Sequence, residues 1–455
     1  MRFFGFDEAW TGATTTRIFN SGTIEGVGNT AIQFYSAYPG DGWSAGMYLE
    51  NSGEILGAIQ IDQAGNRDDT IVNTGLIVGE TRLLGGNDTV RNSGEIVGSV
   101  DLGFGEDRFE NTGLITTTIQ AGSNNDVVVN TGTAGVVSLG AGDDVYDGRG
   151  GQITGIDGYP GIHVWGGSGN DKFITDDGNL LIDEDVDEGT DTVEASVSFE
   201  LAANIEELTL LGADDLTGVG NDLSNRLRGN GGANVLDGEG DTDYMFGGAG
   251  NDTMRGGEGD DYISANSGWD VIYGEAGNDT ILSGAGRDVI DGGEGQDRAS
   301  YYNAQTAGVF ASLTNPNNNT GIAYGDSYHS IEDLWGSEFD DFLYGDENAN
   351  EITGDRGDDV LWGWDGNDYV NGMWDNDTIA GNKGDDTVRG GLGNDVFQFW
   401  SGNGNDTIVD YVDGVDRIQF VTGAANFGAL TITQVGADVR IEYGSGDQIL
   451  LLTET

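Results

Sequence analysis

The sequence predicts an all-β chain: a parallel β-helix, then two parallel β-rolls, then a C-terminal β cap. Three observations predict it. Residues 220–300 divide into nine consecutive nonapeptides with no insertion. Residues 336–398 divide into seven more. Ahead of both, Asn-Ser/Thr-Gly recurs at Asn20, Asn51, Asn73, Asn92, Asn111 and Asn130, and its last three intervals are nineteen residues each. A glycine-rich linker would not keep an apolar residue in fixed phase over so many copies.

The nonapeptide is clearest in Gly247-Gly248-Ala249-Gly250-Asn251-Asp252-Thr253-Met254-Arg255. Its sixth position steps by nine through Asn225, Asn234, Asp243, Asp252, Asp261, Asp270, Asp279, Asp288 and Asp297. Its eighth is apolar: Leu227, Leu236, Met245, Met254, Ile263, Ile272, Ile281, Ile290, then Ala299. Glycine at the first, second and fourth positions suits a turn with positive φ. Such a turn can aim carbonyls at an ion, and the sixth-position carboxylate adds a hard oxygen of the kind calcium favours. The last three residues form a minimal strand with the eighth facing a core. Two nonapeptides then make one coil, and residues eighteen apart stack.

These repeats resemble the repeats-in-toxin (RTX) calcium-binding family, whose signature is Gly-Gly-x-Gly-x-Asp-x-apolar-x. The resemblance implies calcium-binding parallel β-rolls, with Ca2+ held between turns of successive coils. Carried onto the matching positions, it implies metal ligands at Asp243, Gly248, Gly250, Asp252, Gly257, Gly259, Asp261, Asp270, Gly277, Asp279, Asp288 and Asp297. In the second block it implies Asp341, Gly357, Asp359, Gly366, Asp368, Asp377, Gly384, Asp386, Gly393 and Asp395. Several ions, about ten, are expected. The second block is less regular: Asn350 takes one sixth position, Asp375 replaces a turn glycine, and Trp364 and Trp374 occupy turn positions.

In chain order, residues 1–180 form the β-helix of ~19-residue repeats. Half-nonapeptides such as Gly85-Gly86-Asn87-Asp88-Thr89-Val90 precede a short strand and then an Asn-Ser/Thr-Gly turn, and one strand is expected over residues 95–102. Residues 166–173 are an isolated near-complete nonapeptide. Residues 183–194 place acids at Asp183, Asp185, Asp187, Asp191 and Glu194, close to an EF-hand loop. The required glycine is displaced to Gly189 and no amphipathic helices flank it, so an acidic loop is the reading. Lead-in strands and the first roll take residues 181–300, a non-repeat insert 301–335, the second roll 336–410, and a β flank 411–455. That flank resembles the C-terminal region of RTX proteins, which implies an uncleaved signal for type I export and the type I secretion apparatus as a partner.

The formal net charge is −61, from 79 acidic and 18 basic residues, and the only lysines are Lys172 and Lys383. Phosphate binding needs basic surface, so nucleic acid is not a partner. Anionic membrane surfaces are disfavoured for the same reason. No stretch has the ~20 apolar residues of a membrane helix, so membrane insertion is not expected. No cysteine means no disulfide framework. Residues 1–8 lack the apolar run of a signal peptide, so export is expected not to use a cleaved N-terminal signal.

No catalytic constellation emerges. The two histidines, His163 and His329, form no His-Glu-x-x-His motif. Gly42-Trp43-Ser44-Ala45-Gly46 matches a nucleophile elbow in letters, but a repeat turn follows where a helix is required. Arg67, Arg82, Arg91, Arg108 and Arg149 are scattered among acids and read as surface arginines paired to carboxylates. Pore-forming relatives carry long apolar helices and an acylated lysine ahead of the roll, and neither is found. Trp362, Trp364, Trp374 and Trp400 either cap an irregular roll end or stack on sugars. The expectation is an extracellular, secreted or cell-surface calcium-binding RTX protein that folds on calcium after export. Its role would be structural, adhesive or surface-layer, with cell-surface polysaccharide as a candidate partner. The alternative is a calcium-dependent β-helical lyase or epimerase acting on an acidic polysaccharide.

Overall fold

The computed structural model describes residues 8–11, 16–35, 46–62, 67–156, 163–424, 426–444 and 446–452. The chain divides into two compact units, Met1–Leu211 and Gly212–Thr455. Among the described residues there is no α-helix, and nearly all strand pairing is parallel.

The first unit is a parallel β-solenoid. One row of strands runs through Thr70–Asn73, Thr89–Asn92, Arg108–Asn111 and Val127–Asn130. Thr89 lies opposite Arg108 and Arg108 opposite Val127, which is the nineteen-residue step read in the sequence. Each coil differs from expectation in one respect. The strand expected over residues 95–102 is two, Glu95–Val97 and Val100–Phe104. Gly98, at φ 152°, bends the chain between them, and a β-carbon there would lie 2.3 Å from the Gly79 carbonyl oxygen. The interior is a stack of apolar side chains, including Val90, Phe109 and Val128 on one side and Ile77, Ile96 and Ile115 on another.

The recurrent asparagine is more than a turn residue. Asn73 Nδ2 donates to Asn92 Oδ1 at 2.7 Å, Asn92 to Asn111 at 2.8 Å and Asn111 to Asn130 at 2.8 Å, all buried. The carboxamide carries both a donor and an acceptor, so identical residues one coil apart satisfy each other indefinitely.

The second unit steps by eighteen. Val235 pairs with Thr253, Thr253 with Val271 and Val271 with Val289. The opposite row pairs Tyr244 with Tyr262 and Tyr262 with Thr280. All nine eighth-position side chains of the first block are at most 1% exposed. Residues between the two blocks enter the solenoid. Ser327–His329 adds a strand after Val289–Glu294, and Phe310–Ser312 starts a new row with Phe342–Tyr344. The other row runs on, Arg298–Ser300 pairing with Asp333–Trp335 and that strand with Glu351–Asp355. At the end, Thr431–Val435, Asp438–Tyr443 and Asp447–Leu451 form an antiparallel meander. Its last strand pairs in parallel with Asn405–Ile408.

The asparagine ladder generates a stability prediction. Asn92→Ala removes the bonds to Asn73 and Asn111 and leaves Asn73 Nδ2 with only the Gly75 and Glu95 carbonyls and Asn111 Oδ1 with only the Gly113 N–H, at about 1 kcal/mol for each bond lost. Hydrogen exchange of the flanking strands should therefore accelerate at least tenfold. Unchanged protection would mean that the ladder contributes nothing to stability.

Candidate metal centre

Register places the sixth-position side chains in two inward-facing rows. In one, the backbone N–H of Asn225 donates to Asp243 Oδ1 at 2.7 Å. The N–H groups of Asp243, Asp261 and Asp279 donate in turn to Oδ1 of Asp261, Asp279 and Asp297, each at 2.8 Å. The opposite row links Asn234 to Asp252, Asp252 to Asp270 and Asp270 to Asp288 at 2.8–2.9 Å. In the second block Asp341, Asp359, Asp377 and Asp395 form one row. Asn350, Asp368 and Asp386 form the other.

The second oxygen of each carboxylate is left over. Oδ2 of Asp243, Asp252, Asp261, Asp270, Asp279, Asp288 and Asp297 is buried and meets no donor. The same holds for Asp359, Asp368, Asp377, Asp386 and Asp395. A buried charged oxygen without a partner is costly, and a cation is the partner that satisfies a whole row. The space around it is shaped by glycine. A β-carbon at Gly256 would lie 2.1 Å from Asp261 Oδ2 and 2.6 Å from the carbonyl oxygen of Gly274. At Gly274 it would lie 2.1 Å from Asp279 Oδ2 and 2.4 Å from the Gly292 carbonyl oxygen. A carboxylate and a carbonyl from the next coil thus converge on a gap that a side chain would fill. This oxygen-only set fits a hard divalent cation such as calcium.

The first-position glycine therefore has a different role from the expected one. Positive φ belongs to the second and fourth positions: Gly248 and Gly257 at 106° and 115°, Gly250 and Gly259 at 121° and 127°. Gly277, Gly357, Gly366 and Gly384 do the same, whereas Gly393 does not take positive φ. Gly247, Gly256 and Gly274 also lack it and are glycine because oxygens approach closely. These first-position residues were absent from the expected ligands, although their recurrence in the sequence was the available signal. The turn is strong enough to hold Trp364 at φ 81° and Asp375 at 72°.

Not every expected position is alike. Asp341 accepts from Val309 N–H and the Ser337 hydroxyl on Oδ1 and from Ser337 N–H on Oδ2, so neither oxygen is left over. Ala265 and Ser283 stand where the glycine would precede Asp270 and Asp288. Asp406, in Gly402-Asn403-Gly404-Asn405-Asp406 after the seven nonapeptides, was not among the expected ligands; it extends the Asp386 row and has a buried, donorless Oδ2.

The rows end in particular ways. Asn225, Asn234 and Asn350 turn their side-chain oxygens to the N–H groups of Asn221, Asn230 and Asp346 in their own turns. At the far ends Glu332 accepts from Asp297, Asp326 from Asp288 and Asp416 from Asp395.

The first unit carries a similar row through Asp69, Asp88, Asp107, Asp126 and Asp144. There the residue five positions before Asp88, Asp107, Asp126 and Asp144 is Leu83, Leu102, Ala121 or Leu139, each buried. No glycine opens a gap beside those aspartates.

Other sequence features fall elsewhere. Ser44 lies outside the described residues. Arg82, Arg91, Arg108 and Arg149 are ion-paired to Asp101, Glu110, Glu110 and Asp147. The acids of residues 183–194 do not converge as an EF-hand: Asp183 pairs with His163 and Glu194 with Lys172. Trp362 stacks on Tyr344 with ring centres 4.8 Å apart and meets Trp400 edge-on, while Arg356 covers Trp374.

Burial pushes the row carboxyls up, Asp243 to about 8, Asp279 to about 7 and Asp359 to about 9. The folded chain without cation therefore binds more protons than the unfolded one. The associated stability is present near pH 4 and is lost as pH rises through about 7–9. Calcium-depleted protein should show more native β signal by circular dichroism at pH 5 than at pH 8. Calcium, which binds the ionised form, should restore the signal at pH 8. Equal folding at both values without calcium would contradict the buried rows.

The model of the RTX calcium-binding nonapeptide repeat (four copies) matches residues 163–179, 219–254, 247–281, 265–299, 335–370, 344–379 and 371–408. No curated protein matches the chain. Among solved structures, an extracellular lipase, LipA from Serratia marcescens, is similar at 17% identity over 59% of this chain, with a TM-score of 0.22. This chain spans 43% of that lipase's length, and so low a score carries no argument. The matched repeats coincide with the coils whose glycines and aspartates bring oxygens together, and over those residues the chain carries RTX calcium-binding nonapeptide repeats.

Proposed function

We propose that this calcium-binding RTX protein is secreted, folds on calcium after export and serves a structural, adhesive or surface-layer role outside the cell. The observation that carries the reading is the series of buried, donorless aspartate oxygens set over first-position glycines. Each nonapeptide offers its interior little more than one apolar side chain and one carboxylate. A formal charge of −61 opposes compaction further. About ten calcium ions would offset roughly twenty of those charges, and extracellular sites fill at about 0.1–1 mM. The ligands proposed are the sixth-position aspartates with the glycine carbonyls of the turns. A lyase or epimerase would need a basic residue free to act, and four of the five arginines considered for it are held in ion pairs.

Calcium should raise the far-ultraviolet β signal of the full chain, and chelator should remove it. A double-mutant cycle reads the coil. Asp261 and Asp279 are joined directly, N–H to Oδ1, at 2.8 Å, whereas Asp261 and Asp270 lie in opposite rows. Calcium-dependent stability should show coupling above ~0.5 kcal/mol for Asp261→Ala with Asp279→Ala, and less for Asp261→Ala with Asp270→Ala. Full β content under chelation, or equal coupling in both pairs, would refute calcium-driven folding along the rows.

Export is assigned to residues 411–455, on the resemblance of that flank to C-terminal RTX regions. Deleting them should retain the protein inside the producing cell. Undiminished secretion of the shortened chain would sink the assignment.

A further inference from the structure

One carboxylate cluster combines side chains that no pair of nonapeptides brings together. Asp171 is the sixth residue of the isolated nonapeptide, and Glu184 and Asp191 come from the acidic segment after it. Each of the three offers an oxygen within 4.8 Å of the other two. Part of their capacity is already used. Asp144 N–H donates to Asp171 Oδ1 at 2.8 Å, Asp171 N–H to Asp191 Oδ1 at 2.7 Å and Gly167 N–H to Glu184 Oε2 at 3.0 Å. What remains is telling. Asp171 is 1% exposed, and its Oδ2 meets no donor. Glu184 Oε1 is likewise buried without a donor. Both oxygens sit over Gly166, where a β-carbon would lie 1.8 Å from Glu184 Oε1 and 2.6 Å from Asp171 Oδ2.

In the nonapeptide blocks the oxygen facing an aspartate is a backbone carbonyl of the next coil, as Gly274 is for Asp261. Here the residue five before Asp191 is the exposed Val186, and a carboxylate stands beside Gly166 instead. We propose that Asp171, Glu184 and Asp191 form a three-carboxylate calcium site, distinct from those between nonapeptide turns. Oxygens bound to one calcium at 2.3–2.6 Å lie at most about 5 Å apart, which the cluster meets. Ligands of oxygen alone favour calcium over zinc or copper. An open groove of about 580 Å³, lined in part by His163, Trp165, Gly166 and Glu184, reaches the site and gives an ion its way in. Three carboxylates act on this ion where a nonapeptide supplies one, so it fills at lower calcium than the roll does.

The test is native mass spectrometry of the full chain against rising calcium. Glu184→Gln keeps the side chain's length and an acceptor for Gly167; Glu184→Ala removes the ligand outright. Both should saturate with one ion fewer than wild type and weaken the tightest step at least tenfold. Glu200→Gln, which removes an exposed carboxylate outside the cluster, should match wild type. Wild-type ion count and first-step affinity in both Glu184 variants would overturn this site while leaving the roll sites standing. A wild-type chain that takes up no calcium would overturn both.

Discussion

The second unit depends on a single hydrogen bond repeated at an eighteen-residue interval: backbone N–H of one sixth-position residue to Oδ1 of the next. It ties coil to coil inside the solenoid, where the strands themselves are only two to seven residues long. It also fixes which oxygen is spent and which is not. With Oδ1 engaged, Oδ2 of Asp243, Asp252, Asp261, Asp279 and Asp297 faces its first-position glycine. The unpaired oxygen is costly to bury, and this is what makes the fold receptive to cations. Calcium and coil stacking are thus one device.

Comparison of the two units isolates what glycine contributes. Both stack buried aspartates by the same N–H to Oδ1 bond. In the first unit leucine or alanine precedes the aspartate by five and fills the interior. In the second unit glycine stands there, and the vacated volume is bordered by oxygens. The first unit gains apolar burial and adds the asparagine ladder, a neutral network that satisfies itself. The second unit gives up that burial wherever glycine stands and leaves an oxygen-lined gap in its place. The first unit's aspartates also keep a buried, donorless Oδ2, at Asp88, Asp107, Asp126 and Asp144, so what separates the units is the apolar side chain or glycine beside that oxygen.

The ends of the rows follow the same logic. On the first coil of each block the sixth-position oxygens are satisfied locally: Asn225, Asn234 and Asn350 bond within their own turns, and Asp341 accepts from Ser337 and Val309. At the last coil the N–H still needs an acceptor, and acids from non-repeat segments supply it: Asp326, Glu332 and Asp416. The residues between the blocks therefore complete the first block as well as lead into the second.

Much of this was legible in the residues themselves. The fixed phase of Asp252, Asp261 and Asp270 with Met254, Ile263 and Ile272 determined the coil, its inward face and its hard-oxygen chemistry, because period and side-chain alternation are local properties of the chain. The positive φ read for the second- and fourth-position glycines holds at Gly248, Gly250, Gly257 and Gly259 for the same reason, since φ is set residue by residue, and fails at Gly232, Gly286 and Gly393. The tertiary structure alone decided whatever depends on which atoms meet across coils. It gave the first-position glycine its role as a gap between oxygens, turned Asn92 from a turn residue into a buried link, and engaged both oxygens of Asp341. It also brought Glu184 against Asp171, a contact between segments that share no period. Periodicity can announce that residues eighteen apart stack; which oxygen is then left without a donor is settled only when the coils close on one another.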